Sequence, residues 1–167
     1  MNKRRTSAYA IALGGSLAAL AVTIMSLGTL IPIATYVCPV LCMVVLNILA
    51  MICGDRIGWA WYGAVALLSA LLAPDKEAAA MFVFLGYYPL IKPKLDKTRL
   101  KWLWKILFFN VTILAAYWFL MHLLGMAAIA EEFQEMGAVL TVAMLLLGNL
   151  TFFLLDRLLS WDFRRKK

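Results

Sequence analysis

The chain reads as an all-α, polytopic membrane protein: a compact bundle of six transmembrane helices in one domain, residues 1–167, with the N-terminus and C-terminus both cytoplasmic. Three observations predict this. The 167 residues are 65% hydrophobic and only 15% charged, a balance outside that of ordinary soluble domains. Six apolar stretches stand at about 7–31, 36–53, 57–73, 78–91, 102–126 and 137–159. Threaded from an inner N-terminus, their connections put 15 basic residues on the inner side and Lys76 alone on the outer, the bias of the positive-inside rule. Five acids, Asp75, Glu77, Glu131, Glu132 and Glu135, fall outside.

A net charge of +7 would also suit nucleic acid. The cations, however, stand at helix ends and in the inner loop from Lys92 to Lys101, where they set orientation and meet anionic membrane lipid. Membrane lipid is therefore an expected partner and nucleic acid is not. Lys3-Arg4-Arg5 before an apolar run resembles a signal peptide. The run continues for about 25 residues without a small-x-small cleavage site before Tyr36, so the first helix is expected to be retained.

The first helix carries two stripes of small residues. Ala8, Ala12, Gly15 and Ala19 line one face, and Ala10, Gly14, Ala18 and Ala21 line a neighbouring one. Such stripes let another backbone come close, which is how helices associate in lipid; the stripe through Ala10, Gly14, Ala18 and Ala21 can serve packing inside the bundle, which leaves the one through Ala8, Ala12, Gly15 and Ala19 free to dock a partner. Gly28 and Pro32 end this helix, and Thr29 to Tyr36 form an outer connection. The second and third helices meet in the tight inner turn Gly54-Asp55-Arg56-Ile57-Gly58, followed by interfacial Trp59, Trp61 and Tyr62. Cys38, Cys42 and Cys53 form no disulfide framework and read as small, weakly polar packing residues.

The outer turn Ala73-Pro74-Asp75-Lys76-Glu77 opens the fourth helix, its acids favoured by the helix dipole. That helix ends in Gly86-Tyr87-Tyr88-Pro89-Leu90-Ile91-Lys92-Pro93, with Pro89 and Pro93 expected to break it and the tyrosines to anchor the inner interface. The fifth helix has Trp102, Trp104 and Lys105 inside and Tyr117, Trp118 and His122 toward the outside. The acidic segment Glu131 to Glu135 leads into the sixth, which runs inward to Asp156-Arg157 and the basic tail.

The spans read as free of acids and of bases beyond Lys105 and Arg157 at their inner edges. Ionisable groups at membrane depth mark proton relays and ion paths, so this argues against a proton-driven carrier, a pump or a voltage sensor. No metal-ligand cluster, phosphate loop, nucleophile elbow or catalytic carboxylate pair is apparent, so no enzymatic activity, catalytic residue, metal or cofactor is expected. The spans do hold Asn47, Asn110 and Asn149, each roughly 10–15 Å from the inner edge at 1.5 Å rise per residue. They read as a structural polar layer clamping helices two, five and six.

Six helices, cytoplasmic termini, basic inner loops and no internal energy source, together with Ala8-Tyr9-Ala10-Ile11-Ala12, resemble the substrate-binding (S) component of an energy-coupling factor vitamin transporter. An Ala-x-x-x-Ala pattern on the first helix of that family docks the coupling subunit, and Ala8 with Ala12, continued by Gly15 and Ala19, is similar to it. The resemblance implies a multi-pass protein of a bacterial-type plasma membrane. It would capture a vitamin-like or other small micronutrient from outside and depend on a transmembrane coupling subunit and ATPase subunits in trans. Outer-half residues suited to a heteroaromatic ligand are Tyr36, Phe82, Tyr117, Trp118, His122 and Glu135. The competing reading is a non-transport scaffold or regulatory bundle that uses the same stripe to bind another membrane protein. A facilitator or lipid-handling oligomer is a further alternative.

Overall fold

The computed structural model describes residues 3–27, 34–122 and 137–160, with side chains at all of these except 3–7, 137–141 and 144. Among the described residues the chain is all-helical, without strands. It divides into two compact units, residues 1–96 and 97–167.

In the first unit α1 (Lys3–Ser26) packs against α2 (Ala34–Cys53) and α3 (Asp55–Leu72). One residue, Gly54, joins α2 to α3. Its φ of 91° is one that L side chains rarely adopt, so only glycine turns the chain this tightly without strain. Gly58, one turn further, has a different constraint. A Cβ there would lie 2.8 Å from Leu90 Cδ2 and 3.2 Å from the Ala50 Cβ, so glycine lets three helices meet.

The expected fourth span, 78–91, is two helices, α4 (Lys76–Leu85) and α5 (Tyr88–Leu95). Pro89 is not the breaker. It occupies the first turn of α5, where a missing N–H leaves no bond unmade, and Pro93 lies inside the same helix. The break falls at Gly86-Tyr87. A side chain at Gly86 would collide with the Phe82 carbonyl and come within 2.9 Å of the Phe82 ring. At 10 residues α4 is about 15 Å long, half the thickness of a bilayer core. Three consecutive alanines, Ala78, Ala79 and Ala80, are buried, so α4 is an enclosed helix; it packs against α2 and α3.

The second unit pairs α6 (Lys101–His122) with α7 (Gly137–Leu159). The pairing is antiparallel: Lys105 meets Asp156, the Phe109 and Phe152 rings stack at 4.7 Å, and Asn110 meets Asn149.

Among the described residues, three helical stretches, Ala8–Ser26, Ala34–Cys53 and Lys101–His122, are long and apolar enough to cross a membrane. Large apolar side chains elsewhere point outward as well, including Leu71 and Leu146, each 68% exposed. So many large apolar side chains turned outward suit an apolar surrounding better than water. A membrane location accounts for them.

Candidate functional site

The two small-residue stripes of α1 part company. Ala10 and Ala21 are buried, and Gly14 and Ala18 are half-buried. The Trp61 indole N–H donates to the Gly14 carbonyl at 3.0 Å, and the Cys42 thiol lies 3.6 Å from the Ala21 carbonyl. Both donors reach helix backbone because no side chain larger than a methyl stands in the way. The other stripe, Ala8, Ala12, Gly15 and Ala19, is exposed along its length, and a Cβ placed on Gly15 would meet nothing within 4 Å. Ile11 and Leu20 flank this smooth strip and are exposed too.

The expected ligand residues are distributed over both units. In the first, Tyr36 is exposed at the start of α2 and donates to Glu77 Oε1 at 3.2 Å. Beside it Thr35 donates to Asp75 Oδ2 at 2.7 Å, while Asp75 Oδ1 caps α4 by accepting from the Ala78 N–H at 3.0 Å. Lys76 reaches back to the Ala70 carbonyl at the end of α3. This rim of paired groups ties three helix ends together, and only the Asp75 contribution was readable from spacing. Phe82 is fully buried, its ring 5.9 Å from Tyr62, so it serves the core rather than presenting a face to a ligand.

In the second unit Trp118 stacks on His122 at 5.2 Å, both exposed, and His122 Nδ1 lies 3.2 Å from the Trp118 carbonyl. Tyr117 beside them is half-buried. Glu135 lies outside the described residues, as do Glu131 and Glu132. Among the described residues no group of three His, Cys, Asp or Glu side chains is arranged to hold a metal.

The Gly86-Tyr87-Tyr88-Pro89 string has a packing role. Tyr88 is fully buried. Tyr87 joins Trp59 and Tyr62 in an aromatic cluster with centroids 5.7–6.2 Å apart, and the Tyr62 hydroxyl donates to the Val83 carbonyl just before the break. A carbonyl freed by the interrupted helix is thereby satisfied, as a buried backbone acceptor must be.

Two polar pairs stand on the α6/α7 interface. Asn110 and Asn149 exchange amide hydrogen bonds at 3.0 and 3.3 Å, and each also donates to the carbonyl four residues before it. Asn47, the third expected member of the layer, is half-buried on α2 in the first unit. The second pair corrects the reading of the spans as free of acids. Asp156 falls within the last apolar stretch, and Lys105 Nζ donates to both of its carboxylate oxygens at 2.9 Å, with 3% and 5% of the two side chains exposed. Trp102 covers the ammonium at 5.3 Å and stacks on Phe153. The signal was present: Lys105 is one turn into α6 and Asp156 one turn from the end of α7, so antiparallel packing sets them level. A cleft of about 100 Å³, lined by Trp102, Lys105, Asn149, Phe153 and Asp156 among others, adjoins the pair. Pockets for drug-sized ligands run to about 300–1,000 Å³, so this one suits a few waters rather than a vitamin.

No protein-family model, curated protein or solved structure matches the chain. The S-component resemblance therefore stands on the residues quoted for it.

Proposed function

We propose that this protein is the membrane-embedded substrate-binding subunit of an energy-coupling-factor-type importer, taking a vitamin-like or other small micronutrient from outside and relying on separate coupling and ATPase subunits. The observation that carries this reading is the division of α1. One small-residue face is occupied by Trp61 and Cys42, and the face through Ala8, Ala12, Gly15 and Ala19 is exposed and smooth. A free strip of this kind fits close approach by another transmembrane helix.

The accompanying topology has six crossings and both termini in the cytoplasm. It counts α4 and α5 together as the fourth crossing. The basic residues then gather inside. Ligand contacts would be offered by each unit separately: by Tyr36, with Phe82 in the core behind it, in the first, and by Tyr117, Trp118 and His122 in the second.

The scaffold reading is favoured by a different observation. Tyr36 is bonded to Glu77 and Phe82 is sealed in the core, so two of the six expected ligand residues already have structural employment. Ala12→Trp and Gly15→Leu separate the two readings, because both positions are exposed and tolerate bulk within the unit. Under the importer reading these variants fold, retain a small molecule detected by mass spectrometry of the purified protein, and lose co-purification with ATPase-bearing subunits. A wild-type protein that carries no small molecule and no ATPase, yet loses a different membrane partner on the same substitutions, makes it a scaffold.

A further inference from the structure

Four lysines and one arginine lie between Lys92 and Lys101, with Lys105 one turn beyond, and the structure sorts them into two groups. Lys92 is buried and 3.7 Å from Asp96, and Lys105 is buried on Asp156. Their charges are met within the chain. Lys94 at the end of α5 is exposed, and so are Lys97, Arg99 and Lys101, which make no ion pair among the described residues; the first turn of α6 holds no acid. Exposed apolar side chains alternate with them: Leu100, Trp102, Leu103 and Trp104.

Three unmatched cations interleaved with outward apolar and indole groups, at the start of a helix apolar enough to cross a membrane, present two chemistries to one surface. Cations suit phosphate at headgroup level, and tryptophans suit the boundary between headgroups and chains. We propose that the segment Lys97–Trp104 is a binding surface for the phosphates of anionic lipids, one that selects them over zwitterionic lipid. The choice of occupant rests on charge complementarity together with exposed leucines, which a soluble polyanion would leave in water. The proposal needs only the membrane location and stands whether or not the protein is an importer.

A basic side chain near an anionic surface contributes about fivefold in affinity, so three contribute about 100-fold. The test uses the full chain in neutral detergent, with its thermal unfolding midpoint followed while short-chain phosphatidylglycerol or phosphatidylcholine is added. Phosphatidylglycerol is expected to raise the midpoint of the wild type at concentrations where phosphatidylcholine does not, and high salt is expected to weaken the effect. In the triple variant Lys97→Gln, Arg99→Gln, Lys101→Gln the phosphatidylglycerol titration shifts by about 100-fold, while Arg56→Gln, exposed in the first turn of α3, leaves it within a few-fold. The salt titration of the wild type keeps the test decisive should the triple variant not fold. Equal stabilisation by both lipids, a salt-independent response, an unshifted triple variant, or displacement of the lipid by inorganic phosphate or a short RNA at matched charge each overturns the proposal.

Discussion

The Lys105–Asp156 pair offers the sharpest test of how the second unit is held. Both carboxylate oxygens accept from one ammonium at 2.9 Å, and the side chains are 3% and 5% exposed. Removing one partner leaves the other as an uncompensated charge away from water, which costs about 3–5 kcal/mol. Replacing both by apolar residues removes the desolvation cost along with the attraction and is near neutral. Asp156→Leu and Lys105→Met are therefore each expected to lower the thermal midpoint in detergent by on the order of 10 °C. The double variant should lie close to the wild type. The assay is thermal unfolding of four proteins in one detergent, read as a double-mutant cycle. If the two single losses add in the double variant, or if either single variant loses less than about 1 kcal/mol, the pair behaves as a solvated surface bridge and the buried geometry is refuted.

Other expectations follow from single contacts. Asn110→Leu and Asn149→Leu should each destabilise by about 0.6–2 kcal/mol, and the two together by less than their sum, because they share hydrogen bonds; thermal unfolding of the double variant reads this. Gly86→Ala should lower the midpoint more than Gly15→Ala, since its Cβ meets the Phe82 carbonyl and ring whereas the Gly15 position is open; equal effects would remove the close approach as the reason for the helix break. For the proposed topology, Glu132→Cys in a background lacking Cys38, Cys42 and Cys53 should react with an impermeant maleimide on intact cells and Lys97→Cys should not. The reverse pattern inverts the protein.

The all-helical class was legible because long apolar runs broken by glycine, proline and charge leave no other reading. The helix joint at Gly54 was legible for the same reason, a glycine-bounded polar turn between two such runs. The break in the fourth segment was not. Proline is a strong breaker in isolation, so attention falls on Pro89 and Pro93. The chain instead parts at Gly86, where the ring that excludes a side chain belongs to Phe82, one turn earlier in the same segment, and the carbonyl set free is met by Tyr62 from another helix. Local spacing does not contain that contact. The Lys105–Asp156 pair lay between these cases. Each residue is near the end of an apolar run and is easily taken as part of the polar flank, yet an antiparallel hairpin aligns them.

The same logic governs the two faces of α1. Spacing alone defines both stripes equally well and cannot rank them, because what distinguishes them is which one meets Trp61 and Cys42, residues some 20 to 50 positions away. Once the Ala10–Ala21 face is occupied, the helix has only its other small-residue face to offer. In water an exposed alanine strip would carry no information. In lipid it does, since leucine-lined surfaces gain nothing over acyl chains while small residues permit backbone contact that lipid cannot match. The exposed leucines of α3, α6 and α7 therefore read as lipid-facing surface, and the smooth strip on α1 as the place where the proposed coupling partner would sit.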